Sequence, residues 1–149
     1  MHLGNGEELD GESLLQPKSF NSSFIPLVYA NRSTPSTYCA RGTLKAASVK
    51  GKVMLCMRDW TIPSVLQGEV VKNASGTAMI LMNQIQDGFS TFAEAHVCPA
   101  SDVSYAVGLK IKSYINSSLK STATILFKGI VIEKYQLPWL LHFLREACV

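Results

Sequence analysis

Residues 51–57, Gly51-Lys52-Val53-Met54-Leu55-Cys56-Met57, open with glycine and then run apolar for five positions. A run that short, set off by a turn residue, fits a buried strand better than a helix. Thr61 and Pro63 follow as an N-cap and an early-turn proline for a helix over 62–74, where Leu66, Val70 and Ala74 recur every four residues as one apolar stripe. Gly76 closes that helix, and TAMILM at 77–82 is a second continuous apolar run of strand length. Strand, helix and strand in succession predict helices packed on a sheet.

Working outward, FIPLVYA at 24–30 is β-branched and aromatic, with Pro26 where a first or edge strand tolerates it. A polar loop occupies 31–36, and 42–52 reads as a turn preceding a strand; it lacks the G-x-x-x-x-G-K-[ST] spacing of a phosphate loop. Beyond a loop at 83–90, residues 97–103 make a short extended segment through Pro99. Ser104 caps a helix over 105–116 with Val107, Ile111 and Ile115 on one face, and 122–131 (TATILFKGIV) is a further strand, long or bent through Gly129. The fold class is therefore α/β or α+β, a small sheet or open barrel flanked by two main helices. The first twenty residues carry only Leu3, Leu9, Leu14 and Leu15 as apolar anchors, with a turn at Asn5-Gly6, and read as a strand remnant and linker.

The chain has 149 residues, the size of one ordinary domain, and its 47 % hydrophobic content is what a packed core needs. The formal charge is only +3, with no block of like charges, which argues against nucleic-acid binding. No apolar run approaches the ~20 residues of a membrane-spanning helix. The first residues lack the basic start and apolar stretch of a signal peptide, so either the protein is cytosolic or its start is missing. Four Asn-x-Ser sequons, at Asn21, Asn31, Asn73 and Asn116, favour a missing start and a glycosylated, secreted chain, although sequons also arise by chance. Cys39, Cys56, Cys98 and Cys148 contain no C-x-x-C pair, against zinc and dithiol chemistry; in a secreted chain Cys39 and Cys56 are disulfide candidates.

Catalytic chemistry is hard to find. There is no G-x-S-x-G, and the nearest approach to a triad is His96, Ser101 and Asp102, crowded into seven residues. Triad members normally come from separate elements, so His96 reads instead as a hydrogen-bonded histidine at a strand edge. His2, His96 and His142 form no H-E-x-x-H, and no carboxylate pair stands at loop spacing, so no metal ligands and no cofactor are expected. On residue chemistry the domain is non-catalytic.

Several short runs in fixed order carry a resemblance: PLVYA at 26–30, Cys39 with Gly42-Thr43-Leu44, VKGKVMLC at 49–56, KNASG at 72–76 with MILMN at 79–83, and Ala95-His96-Val97 with Pro99-Ala100. Together with Val103-Ser104-Tyr105, GLKI at 108–111 and ATILF at 123–127, they resemble the protease-associated domain of plant subtilisin-like serine proteases over about 24–132. Leu3-Gly4-Asn5-Gly6 and Gly11-Glu12-Ser13-Leu14 resemble the stretch leading out of the catalytic domain in those enzymes, which makes 1–23 a linker from a missing catalytic domain.

The resemblance implies a non-catalytic module inserted between the segments bearing the catalytic histidine and serine, lying over the substrate cleft and modulating substrate access or protein contacts. Implied partners are the parent's catalytic domain, protein or peptide substrates and, in some members, a second copy in a homodimer; the implied location is extracellular, in the apoplast. Family motifs around the catalytic residues have no counterpart: Gly42-Thr43 and Gly76-Thr77 continue into Leu44 and Ala78, so no peptidase residue carries over. The rival reading is a piece of a protease whose serine endopeptidase activity resides only in the complete product. Cys39 and Cys56 match the family's paired cysteines, and Cys98 falls at a usually aliphatic position, as a small buried hydrophobe.

From Glu133 the resemblance stops. Restoring one base at the preceding Gly codon, with codons assumed, yields a family-like frame through Val-Ala-Ser-Phe-Ser-Ser-Arg-Gly, so 133–149 is expected to be a frameshifted ending. Its Trp139, Leu140, Leu141, Phe143 and Leu144 form an apolar patch prone to association, or a short amphipathic helix docking on the domain.

Overall fold

A computed structural model describes residues 1–30 and 35–129. Its strands are β1 (His2–Leu3), β2 (Ile25–Tyr29), β3 (Val53–Met57), β4 (Ala78–Met82), β5 (Ala100–Val103) and β6 (Thr122–Thr124), in one sheet ordered β1-β6-β2-β3-β4-β5. The helices are α1 (Ala46–Val49), α2 (Ser64–Asn73) and α3 (Tyr105–Ser117). Strands β2 to β5 run parallel, with β3 and β4 aligned from Val53↔Ala78 to Met57↔Met82, while β6 is antiparallel to β2 and β1. This is the mixed α/β architecture, sheet plus two main helices, that the interleaved pattern predicts.

The two apolar runs are continuous because both sheet faces are covered. On one face Val53, Leu55, Ile80, Met82 and Val103 pack with Ile111 and Tyr114 of α3. On the other, Met54, Cys56, Met79, Leu81 and Ala100 pack with Val71 of α2 and with Ala74. The α3 helix starts as expected, the Ser104 hydroxyl accepting from Val107 N at 3.3 Å. It approaches the sheet at Gly108, where an added Cβ would lie 2.6 Å from the Met82 side chain.

Four expectations are corrected. The expected stripe of Leu66, Val70 and Ala74 is buried only in part: Ala74 packs in the core and Val70 is half-buried, but Leu66 is 44 % exposed, whereas Gln67, Gly68 and Val71 are buried. Gln67 is drawn inward because its Nε2 donates to Tyr38 O and Met57 O, at 2.6 and 2.9 Å. Nor does Thr61 cap this helix, since its N and Oγ1 both bond Asp59 Oδ1 at 2.9 and 2.7 Å. Strand β2 is interior rather than an edge, and Pro26 fits because it pairs with Thr122 of β6 one residue before pairing with β3 begins at Leu27. The long strand over 122–131 stops at Thr124, where the two-residue β1 runs out of partners.

Residues 1–23 begin with the expected strand remnant, β1, and are more than a linker beyond it. Their start is part of the fold: Leu3 and Leu9 are buried in the α3-side core, and His2↔Thr124 and Leu3↔Ala123 are strand pairs. Ten residues on, Glu12 pairs with Asp102 on β5 at the opposite edge, through N–H···O bonds of 2.9 and 2.7 Å. Residues 1–12 thus strap one edge of the sheet to the other, as an open barrel would be closed. Only sparse anchors support this strap, which is why its apolar pattern looks like linker.

Cys39 and Cys56 form a disulfide, Cα–Cα 5.7 Å across a sequence separation of 17, tying the 3-10 turn Pro35–Tyr38 to β3. Cross-linking a loop of that size stabilises a fold by roughly 3 kcal/mol. Among the described residues no helix is long and apolar enough to cross a membrane. Asn31, Cys148, residues 130–132 and the tail 133–149 lie outside the described residues.

Candidate functional site

Open parallel sheets gather functional side chains at the carboxyl ends of their strands, where the backbone turns away and leaves a crevice. Here Arg58 is the first residue after β3 and Asn83 the first after β4; Arg58 N donates to Met82 O at 2.8 Å and Asn83 N to Val103 O at 3.0 Å. Asp102 comes from β5, and Glu94 and His96 from the segment that leads into it.

These five side chains converge. Arg58 Nε donates to Asn83 Oδ1 at 2.8 Å and its Nη2 to Asp102 Oδ1 at 3.0 Å. The same Nη2 lies 2.9 Å from Glu94 Oε2, an ion pair whose angle falls short of a hydrogen bond. His96 Nε2 is 3.0 Å from Asp102 Oδ2. A carboxylate only accepts, so Nε2 carries the hydrogen and donates it, leaving Nδ1 buried without a partner. Arg58 and Asp102 side chains are 3 % and 0 % exposed, so this is a desolvated ion pair. Burial raises the Asp102 carboxyl above its ordinary value, against the opposing His96 hydrogen bond and the His96 and Arg58 charges, while nearby Glu94 adds to the rise. Burial would lift Glu94 as well, but close donors on Arg58 and Ser64 and the charges of Arg58 and His96 outweigh it and hold Glu94 low.

Above the network the guanidinium carbon sits 4.9 Å from the Trp60 ring and 5.7 Å from the Phe92 ring. The two rings meet edge to face at 5.6 Å and remain 52 % and 40 % exposed. A cation fixed from below by two carboxylates therefore supports an outward-facing aromatic pair. The loop is pinned at its base by Asn83 Nδ2 donating to Ser90 O and Gln84 Nε2 donating to Arg58 O, each at 2.8 Å.

The sequence cluster of His96, Ser101 and Asp102 is only partly assembled. Ser101 and Asp102 are consecutive on a strand and so point to opposite faces. Ser101 aligns with Ile80 on the α3 side, and Asp102 with Leu81 on the α2 side. Among the described residues no hydroxyl bonds either ring nitrogen of His96, and Arg58 takes the other oxygen of Asp102. The contact is structural, with no nucleophile. Nor is His96 on a strand; it stands in the loop before β5.

Glu94, His96 and Asp102 also bring ligand atoms within 4.8 Å of one another, a grouping the sequence reading does not anticipate. The cation that this trio would hold is already supplied by Arg58, whose Nη2 touches both carboxylates. A metal ion would have to displace it. Arg58, Asn83, Glu94, Trp60 and Phe92 escape sequence reading because the contacts that define them span 25 and 44 residues and have no local periodicity.

Of the sequons, Asn21, Asn73 and Asn116 are exposed. Asn21 Oδ1 accepts from Ser23 N at 3.0 Å. Cys98 is buried with its Sγ toward Gly68 O at 3.6 Å, and burial pushes its thiol up to about 11.

Residues 24–111 match the family described as PA domain. The chain belongs to that family. Relatives of this PA domain in Arabidopsis thaliana include Subtilisin-like protease SBT1.7, 35 % identical over 133 residues, covering 87 % of this chain and 17 % of the relative. Subtilisin-like protease SBT1.6 is 36 % identical over 132 residues, with the same coverage of 87 % and 17 %. Subtilisin-like protease SBT1.3 is 38 % identical over 133 residues, 85 % of this chain and 17 % of the relative. The PA domain described here thus spans a small fraction of the length of the curated relatives it matches. The family match starts at residue 24, whereas the sheet starts at His2.

Proposed function

We propose that this PA domain is a non-catalytic module of a subtilisin-like serine endopeptidase and modulates access of protein or peptide substrates through surface contacts. The observation that carries the reading is the Trp60–Phe92 pair: two large rings held outward on a buried cation that is ion-paired with Asp102 and Glu94, at the strand ends where α/β sheets meet ligands. The relatives' printed names supply the protease context. In that context the partners are the catalytic domain, its polypeptide substrates and a second copy of the same domain. A secreted, extracellular setting is supported by the buried Cys39–Cys56 disulfide and three exposed sequons.

The test has two parts. A fluorophosphonate probe on the 149-residue chain is expected to label nothing, and labelling would show a serine nucleophile of its own. In a protease that carries the domain, Trp60→Ser with Phe92→Ser is expected to raise KM for a protein substrate while leaving a short peptide substrate unaffected. A KM for the protein substrate that does not change, or that rises by the same factor for both substrates, would discard the surface reading.

A further inference from the structure

Desolvated ion pairs depend on every member keeping its charge state, since removing one partner leaves the other buried and uncompensated. In this domain one such pair also serves as the platform of an exposed aromatic surface. We propose that the Arg58–Asp102–His96 network is an acid-sensitive latch, which holds Trp60 and Phe92 in place near neutral pH and frees them when the network takes up a proton. The inference rests on the reading of that pair as a contact surface, but its readouts need no partner, so each can fail separately.

The geometry gives the mechanism. Asp102 is the hub: Oδ1 takes the Arg58 Nη2 hydrogen at 3.0 Å and Oδ2 faces His96 Nε2 at 3.0 Å. A proton added to this carboxyl removes its charge and turns an acceptor oxygen into a donor facing another donor. Arg58 then keeps Glu94 and Asn83 but loses its most buried counter-ion. The ionisable groups facing Asp102 are Arg58 after β3 and Glu94 and His96 from the β4–β5 segment; α2 contributes the Ser64 hydroxyl, which helps to hold Glu94 low. Of the two carboxyls, burial places Asp102 above its ordinary value and the surrounding donors place Glu94 below its own, so Asp102 is the one that accepts the proton first on acidification. The rings would respond because Trp60 and Phe92 meet each other and the Arg58 guanidinium, while about half of the Trp60 surface is already in water.

The experiment uses the full chain with Trp139→Phe, which leaves Trp60 as the only tryptophan. Acrylamide quenching of its fluorescence and far-UV circular dichroism are followed from pH 7.5 to 3.5. The expected result is a rise in the quenching constant of about two-fold or more, centred above the ordinary carboxylate value of ~3.9, while the dichroism is unchanged. In an Asp102→Asn background the quenching should be high already at pH 7.5 and flat with pH. Should that variant not fold, the Arg58 Nε–H resonance of the unsubstituted network serves instead: it should be protected from solvent exchange at pH 7.5 and lose protection through the same interval. Quenching and protection that stay constant until the dichroism itself collapses, or a transition that persists in Asp102→Asn, would overturn the latch.

Discussion

Arg58 and Asp102 meet at 3.0 Å with both side chains shielded from water, although they lie 44 residues apart, one just past the end of β3 and the other on β5, with β4 between those strands. The pair therefore records the parallel register of three strands in one contact. Replacing Arg58 by Met keeps much of the volume but strands the Asp102 carboxylate. We expect Arg58→Met to cost about 3–5 kcal/mol in urea unfolding, and the double variant with Asp102→Asn to cost less than the sum of the two single changes. Strict additivity would mean that the two groups are not coupled.

Glu94 carries the opposite sign of pH dependence from Asp102. Its carboxyl is held below 4.5 in the folded chain, so it contributes stability that is fully present above pH 4.5 and is lost as pH falls through the lower folded value. Asp102, raised from 3.8, binds its proton more readily when folded, so stability from that group falls as pH rises from 3.8 through the raised value. Glu94→Gln should flatten the decline of Tm below pH 4.5. An unchanged decline would assign acid sensitivity to other carboxyls.

The Cys98 thiol is both buried and pushed up to about 11, so little thiolate exists at pH 8. Iodoacetamide at pH 8 should leave Cys98 unmodified in the native chain and alkylate it after urea is added, as read by mass spectrometry of its peptide. Prompt native-state alkylation would place this thiol at the surface. Cys39→Ala with Cys56→Ala, by contrast, should lower stability by roughly 3 kcal/mol through the loss of the cross-link.

At Gly11 the strap presses so closely on β5 that an added Cβ would collide with Ser101 Oγ and come within 3.0 Å of Asp102 O and Val103 Cγ1. Gly11→Ala should destabilise by about 1–3 kcal/mol. Ser101→Ala in the same chain should restore part of the loss, because one of the three obstacles is then gone. No loss in Gly11→Ala would mean the strap lies elsewhere in solution.

Where local rules govern, the sequence was readable in advance. Ser104 and the Val107, Ile111 and Ile115 spacing locate α3, and the apolar runs locate β3 and β4, because caps and continuous burial are short-range effects. The α2 face departs from the apolar pattern because two of its buried positions, Gln67 and Gly68, are not apolar side chains, and Gln67 is drawn in by the Tyr38 and Met57 carbonyls rather than by hydrophobicity. Pro26 misled for a similar reason: strand pairing changes partner at that residue, which no propensity reveals. Of the ionic network only the His96–Asp102 neighbourhood is legible in the sequence; Arg58, Asn83 and Glu94 are ordinary polar residues until β3, β4 and β5 are laid side by side.

Because His2–Leu3 and Thr122–Thr124 lie next to each other and point in opposite directions, a longer polypeptide would meet its two junctions with this unit about one strand spacing apart, ~4.8 Å. Entry and exit that close would let a host loop accept such a unit as a cassette with little displacement of its own flanking backbone.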